Sequence, residues 1–234
     1  MARGMVLMNE YIIPLKKLYE AHADPQTAGP MARYMRDKFE FLGIKTPQRK
    51  ALFKQFLAEN GLPPAEELER VIRDLWHLPQ REYQYSGQAL LEKMKRTVTP
   101  DHVPLLEYLV VTKSWWDTVD ALASHQVGDF MLRYPDRRDP ILMKWRSAED
   151  FWLRRTTLLF QLRYKDNTDV GLLFELINEN LGSKEFFINK AIGWALREYS
   201  KTDADAVIRF VRQTPLEPLS EREALKWVKN KGIL

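Results

Sequence analysis

The run Ser183-Lys-Glu-Phe-Phe-Ile-Asn-Lys-Ala-Ile-Gly-Trp-Ala-Leu-Arg-Glu-Tyr199 separates cleanly when wound at 3.6 residues per turn. Ile188, Ile192, Ala195 and Tyr199 make an apolar stripe, as the core-facing side of a helix should. Phe187, Lys190, Trp194 and Arg197, spaced three, four and three, make a second stripe that alternates ring with cation. Such alternation suits a nucleic acid, whose phosphates take the cations and whose sugars and bases take the rings. The plainer alternative is a set of rings tucked into a helix seam, with Lys and Arg snorkelling past them. Gly193 costs this helix about 1 kcal/mol against Ala, so either a neighbouring helix or a ligand has to approach its backbone closely.

This helix is one of a series. Proline or an N-cap residue ahead of an amphipathic run recurs along the chain. Pro14 and Pro30 open the first two helices, and Thr46-Pro47 opens one carrying Leu52, Phe53, Phe56 and Leu57. Gly61-Leu-Pro-Pro64 breaks it, and Pro64 begins another with Leu68, Val71, Ile72 and Leu75 at core spacing. Further starts fall at Pro79, Pro100, Ser114 and Asp139-Pro140, then in 147–150 and 167–169, and at Ser183, Thr202-Asp203 and Ser220. No β-branched run alternates with period two, so the chain reads as all-α, with about a dozen helices. Openings near 47, 79, 114, 149 and 184 recur about every 35 residues, each with room for a second helix before the next. That spacing describes a HEAT-like helical-repeat solenoid, a superhelix of stacked antiparallel helix pairs, occupying 1–234 as one domain. The tetratricopeptide period is similar, but its Trp-x-x-Leu-Gly-x-x-Tyr signature is missing. An irregular α-bundle is the alternative.

Composition narrows the chemistry. With 234 residues, 45% hydrophobic and 29% charged, the chain has the makings of a soluble protein with a sizeable core. A net charge of +4 and a pI near 9.1 invite a polyanion as partner. The absence of cysteine excludes disulfides and Cys nucleophiles, and fits a reducing cytoplasm. The apolar Met5-Val-Leu-Met8 is too short for a signal segment or a membrane span. His22, His77, His102 and His125 show no His-x-x-x-His spacing, so no metal is assigned. Neither a phosphate-cradling glycine loop nor a Gly-x-Ser-x-Gly elbow occurs. Any chemistry must therefore run on carboxylates and rings.

Those groups concentrate in Lys113-Ser-Trp-Trp-Asp-Thr-Val-Asp120, where two indoles, a cation and two carboxylates surround a helix start. Trp116 and Asp120, four apart, share a face, while Trp115 points about 100° away from Trp116. One indole can thus be core while the other is presented. A ring face beside a carboxylate suits a flat, positively charged ligand; the plainer reading is a Trp pair filling a core beside solvated acids. Arg155 either clamps a phosphate or pairs with Asp120 on the preceding repeat, leaving Arg154 to look outward. Basic clusters such as Lys45 with Arg49 and Lys50 read singly as solvated faces, but repeated along the concave side of a solenoid they make a phosphate-tracking groove.

Four segments resemble the AlkD-type bacterial DNA alkylation-repair glycosylases: Thr112-Lys-Ser-Trp-Trp-Asp-x-Val-Asp120, the 183–199 run, Pro30-Met-Ala-Arg-Tyr-Met35 and Phe41-Leu-Gly-Ile44. The likeness runs from about residue 14 to about 230. It implies a HEAT-like superhelix that holds duplex DNA on a concave basic face and hydrolyses the N-glycosidic bond of cationic N3- and N7-alkylated purines without a base-flipping pocket. Carried over by position, the family's catalytic acid falls on Asp120 and its arginine on Arg155, its lesion-side tryptophans on Trp116 and Trp194, and a nearby tyrosine on Tyr34. Lys113, Phe187, Lys190, Arg197, Lys45 and Arg49 are the further residues expected to meet DNA. No cofactor or metal is expected, and a monomer in the bacterial cytoplasm, on the nucleoid when acting on DNA, is implied. The departures are at the N-terminus: the segment through Tyr11 looks extra and is expected to be flexible, and Pro14 interrupts what would be a longer first helix. An alkylated purine is already cationic and departs as a neutral base, which leaves Asp120 to stabilise the developing charge on the sugar and to orient water. The rival expectation is a non-catalytic HEAT-like scaffold that binds DNA or protein, with Asp120 and Trp116 as packing residues.

Overall fold

Helices open at Thr46, Arg81, Trp116, Phe151 and Phe186, a step of 35 residues every time, in the computed structural model, which describes residues 8–234. These openings belong to α3 (Thr46–Asn60), α5 (Arg81–Lys93), α7 (Trp116–Ala121), α10 (Phe151–Leu159) and α12 (Phe186–Tyr199). Between and around them run α1 (Ile13–Ala21), α2 (Pro25–Tyr34), α4 (Leu68–His77), α6 (Val103–Val111), α8 (Gly128–Arg133), α9 (Pro135–Arg146), α11 (Val170–Glu179), α13 (Ala204–Gln213) and α14 (Pro218–Asn230). No strand occurs among the described residues; the nearest thing is an isolated bridge between Glu40 and Gln80. The architecture is that of a HEAT-like helical repeat. No described helix is long and apolar enough to cross a membrane. The chain divides into two compact units, one ending at Thr97 and one beginning at Val98.

The caps explain why the openings fall where they do. Asp150, Asp169 and Asp203 each accept a backbone N–H from the first turn of the following helix, at 2.7, 3.1 and 2.8 Å. Four expected starts shift. Helix α2 opens at Pro25 behind an Asp24 cap, and α9 opens at Pro135, so Pro30 and Pro140 lie inside helices that they were expected to begin. Each is the second of two prolines five residues apart. The first takes the opening turn, where its missing N–H is no loss, and the second costs a single internal bond. Ser114 bonds back to the Val110 carbonyl at 2.7 Å and so closes α6 rather than capping α7. Ser220 lies inside α14, where its hydroxyl donates to the Asn189 carbonyl at 2.9 Å.

In the first unit the Glu82 carboxylate, fully buried on α5, accepts the backbone N–H groups of Leu42, Gly43 and Ile44 at 3.0–3.1 Å. This clamp fixes the loop that delivers α3. Gly43 sits there at φ 87°, and a Cβ would lie 2.1 Å from the Asp24 carbonyl oxygen, so only glycine fits. Residues 1–7, including most of the expected flexible extension and of Met5–Met8, lie outside the described residues. From Asn9 onward the chain is bonded: the Asn9 N–H donates to Asp74 at 2.8 Å, and the Tyr11 hydroxyl donates to the Gly61 carbonyl at 2.8 Å. Pro14 falls in the first turn of α1, with a short 3-10 turn (Glu10–Ile12) before it.

In the second unit α10 packs on α12 and α12 on α14. Gly193 makes the second of these crossings possible: a Cβ there would stand 2.5 Å from Glu223 Cβ and 2.8 Å from the Ser220 carbonyl oxygen. The close approach required at Gly193 is therefore made by a neighbouring helix. After Ala121 the helix continues through a π-helical turn (Leu122–Val127) into α8, an expansion often found beside functional residues.

Candidate active site

Asp120, at the end of α7, and Arg155, on α10, are 35 residues apart, one repeat of the chain. The step brings them together in a two-pronged pair: Arg155 Nε donates to Asp120 Oδ1 at 2.7 Å and Nη2 to Oδ2 at 2.8 Å. The remaining guanidinium nitrogen, Nη1, donates to the Phe187 carbonyl. Arg155 is only 3% exposed. Behind it the rings of Trp115, Trp152 and Phe187 meet at centroid distances of 5.0 Å (Trp115–Phe187), 4.9 Å (Trp152–Phe187) and 6.0 Å (Trp115–Trp152), and the guanidinium lies 5.8 Å from the Phe187 centroid. The cation is thus held by packing as well as by charge.

Asp120 keeps 14% of its side chain accessible. Burial raises its pKa above the ordinary carboxylate value; the hydrogen bonds and charge of Arg155 pull it back, and the neighbouring charge of Asp117 pushes the same way as burial. Arg155 thus favours the anionic form that burial disfavours, and burial has the larger effect of the two. Each carboxylate oxygen has two acceptor positions, so the fork leaves one on each oxygen for something else. The open side is a cleft of about 390 Å³ lined by Asp120, Ser124, His125, Arg163, Trp194 and Glu198, among others. An indole face, a carboxylate and open space for a ligand meet in it.

The model of the DNA alkylation repair enzymes matches residues 15–228. The chain belongs to that family. A solved structure, a predicted DNA alkylation repair enzyme from Enterococcus faecalis, is 37% identical, superposes with a TM-score of 0.82, and is matched over 88% of this chain and 96% of that one. No curated protein matches the chain.

The other expected site residues of this DNA alkylation repair enzyme fall into three groups. Trp116 is half-exposed one turn before Asp120, while Trp115 is buried, so one indole is core and the other presented. Lys113, just ahead of them, holds a left-handed backbone at φ 51° as the chain turns into α7. Phe187 belongs to the ring cluster, and its link to Asp120 runs through Arg155. Lys190 and Arg197 share one acid: Glu223 of α14 takes Lys190 Nζ at 3.1 Å and Arg197 Nη1 at 2.9 Å. Tyr34, Lys45 and Arg49 lie in the first unit and line a cleft of their own.

Four cleft residues of the repair enzyme are not among the site residues expected from sequence. Ser124 and Glu198 stand one turn beyond Asp120 and Trp194, so the i+4 rule finds both. The Ser124 hydroxyl donates to the Asp120 carbonyl at 2.7 Å. His125 and Arg163 contact each other at 2.8 Å between His125 Nδ1 and Arg163 Nη1, across 38 residues and out of the π-helical turn. No local pattern announces that pair.

Proposed function

We propose that this DNA repair enzyme is a glycosylase that hydrolyses the N-glycosidic bond of cationic N3- and N7-alkylated purines in duplex DNA. The observation that carries the reading is the two-pronged Asp120–Arg155 pair facing an open cleft beside Trp194. A purine already alkylated at N3 or N7 leaves as a neutral base, so no general acid is needed at the leaving group. The bond to C1′ breaks with its electron pair going to the base, and positive charge gathers on the deoxyribose. Asp120, whose anionic form Arg155 favours, stabilises that charge and accepts a hydrogen bond from the water that attacks C1′; as the O–C1′ bond forms, the proton that water loses passes to the carboxylate and on to solvent. Trp194, with Trp116 one turn before Asp120, offers ring faces to the sugar and the cationic base. Lys113, Lys190 and Arg197 meet backbone phosphates, and selectivity rests on the charge and lability of the lesion rather than on an enclosing pocket.

The test is release of free base from a duplex carrying one N7-methylguanine. Asp120→Asn keeps the shape and loses the charge; it should slow release by about tenfold or more, some 1.4 kcal/mol of barrier, with binding of undamaged duplex little changed. Undiminished release by that variant removes Asp120 from the mechanism and leaves a scaffold that binds DNA.

A further inference from the structure

Arg49 has no acid to answer it. It lies in the first turn of α3, is 9% exposed, and its guanidinium carbon stands 4.9 Å from the centroid of Tyr85. None of the hydrogen bonds or ion pairs of the described residues uses its guanidinium; the nearby Glu82 carboxylate is committed to the backbone N–H groups of 42–44. Burial pushes its pKa below the usual arginine value, only partly opposed by Tyr19, Tyr85 and Glu82. A cation held out of water without a partner is costly, and such a group persists where a ligand supplies the missing charge.

The surroundings specify that ligand. Arg49 opens on a cleft of about 470 Å³, within the range of small-molecule sites of about 300–1,000 Å³. Lys45 and Thr46 bring a second cation and the start of α3, whose first N–H groups have no side-chain cap. An uncapped helix start beside an arginine and a lysine selects a phosphate. The opposite wall is of another kind: Met31, Met35, Phe41 and the ring of Tyr34, which is 70% exposed. Thioether and ring surfaces take the face of a nucleobase.

We propose that this cleft binds one unpaired nucleotide, its phosphate at Arg49, Lys45 and the start of α3 and its base against Tyr34 and Met31. A base inside a paired duplex has both faces covered by its neighbours, so only an unpaired one can lie on that wall. The nucleotide is either free in solution or part of a strand. The site goes beyond the excision reading and does not depend on Asp120.

The full chain is titrated calorimetrically with deoxyadenosine 5′-monophosphate, deoxyadenosine and inorganic phosphate. In parallel, its affinity for a duplex with one unpaired adenosine is compared with that for the fully paired duplex. Arg49→Met should weaken either the nucleotide binding or the preference for the unpaired base by about tenfold, with a melting temperature unchanged or higher, since the variant no longer buries an unanswered cation. Tyr34→Ala should weaken the same binding while leaving inorganic phosphate unaffected. Loss with the free nucleotide identifies a soluble ligand, and loss with the unpaired duplex alone identifies a strand. Asp120→Asn should bind as the wild type does, whether or not it excises. Unchanged binding in Arg49→Met overturns the proposal, and so does a loss that merely follows a fall in melting temperature. If Arg49→Met does not fold, Tyr34→Ala and Lys45→Gln, both on exposed side chains, decide the matter by the same readout.

Discussion

Arg155 and Arg49 are buried to nearly the same degree, 3% and 9% exposed, and each lies beside aromatic rings. Arg155 has an acid gripped by two prongs, whereas Arg49 has a ring and an open cleft. The difference separates two uses of a buried cation. Where the partner is built in, the cation serves the partner: Arg155 grips both oxygens of Asp120 and favours the anionic form that the proposed chemistry needs. Where no partner is built in, the cation is itself the recognition group. Stability should tell them apart, because removing one member of a buried pair strands a charge, while removing a lone cation relieves one.

The largest effect is therefore expected at Arg155. Arg155→Met should lower stability by about 3–5 kcal/mol in urea unfolding at neutral pH, because Asp120 is left buried and unpaired. The deficit should shrink on acidification, as the carboxylate takes up a proton and ceases to be a buried charge. Adding Asp120→Asn to the same chain should recover most of the loss, since both charges are then gone. An Arg155→Met variant as stable as the wild type would mean that the pair contributes nothing to holding α7 against α10, and the contrast with Arg49 would collapse.

The pH dependence of excision is the next sharpest distinction. The folded pKa of Asp120 is raised above its ordinary value, so the folded state binds its proton more readily than the unfolded chain does. Stability therefore falls as pH rises from the ordinary to the raised value; the cost of the anion is full above the raised value and absent below the ordinary one. Activity should run the other way, because in the proposed mechanism the anion is the active form: excision, corrected for spontaneous base loss, should fall as pH drops through the raised value. The acidic midpoint should lie above 3.8, the ordinary value, and Asp120→Asn should show no such limb. A midpoint at or below 3.8 would mean that Arg155 outweighs burial.

The residues that carry this contrast are unequally visible in the sequence. The 35-residue step was legible because each opening carries a proline or an acid close to its first turn, and that step alone puts Arg155 one repeat beyond Asp120. Trp116 and Asp120 are legible as an i, i+4 pair, and the 100° between neighbours lets one indole be core while the other is presented; that the core one is Trp115 is seen only in the fold. Pro30 and Pro140 misled because proline marks a permitted position rather than a start, and an earlier proline had already taken the opening turn. The solitude of Arg49 could not be read at all. Glu82 lies 33 residues on (82 − 49) and looks like a ready partner one repeat away; only the fold shows that it is spent on three backbone N–H groups. Being unpaired is a property of the whole neighbourhood, and no spacing rule reports it.

A third acid, Glu223, lies between the two extremes and gives the smallest effect. It holds Lys190 and Arg197 together, and burial, which would raise its pKa, is outweighed by the hydrogen bond and charge of Lys190 and the charge of Arg197, so its pKa is lowered. The cations are partly exposed, so Glu223→Gln should change stability by about 1 kcal/mol or less. Its consequence is expected in binding. Lys190 and Arg197 share the α12 stripe with Trp194, and a phosphate that approaches them has to compete with Glu223 for their donors. With the acid neutralised, undamaged duplex should bind more tightly. The slope of log affinity against log salt should steepen by about 0.9 for each phosphate gained, so one or two new contacts are countable in a salt series. If affinity and slope both stay at wild-type values, Lys190 and Arg197 are structural cations tied to α14, and the DNA-facing side of α12 is reduced to Trp194.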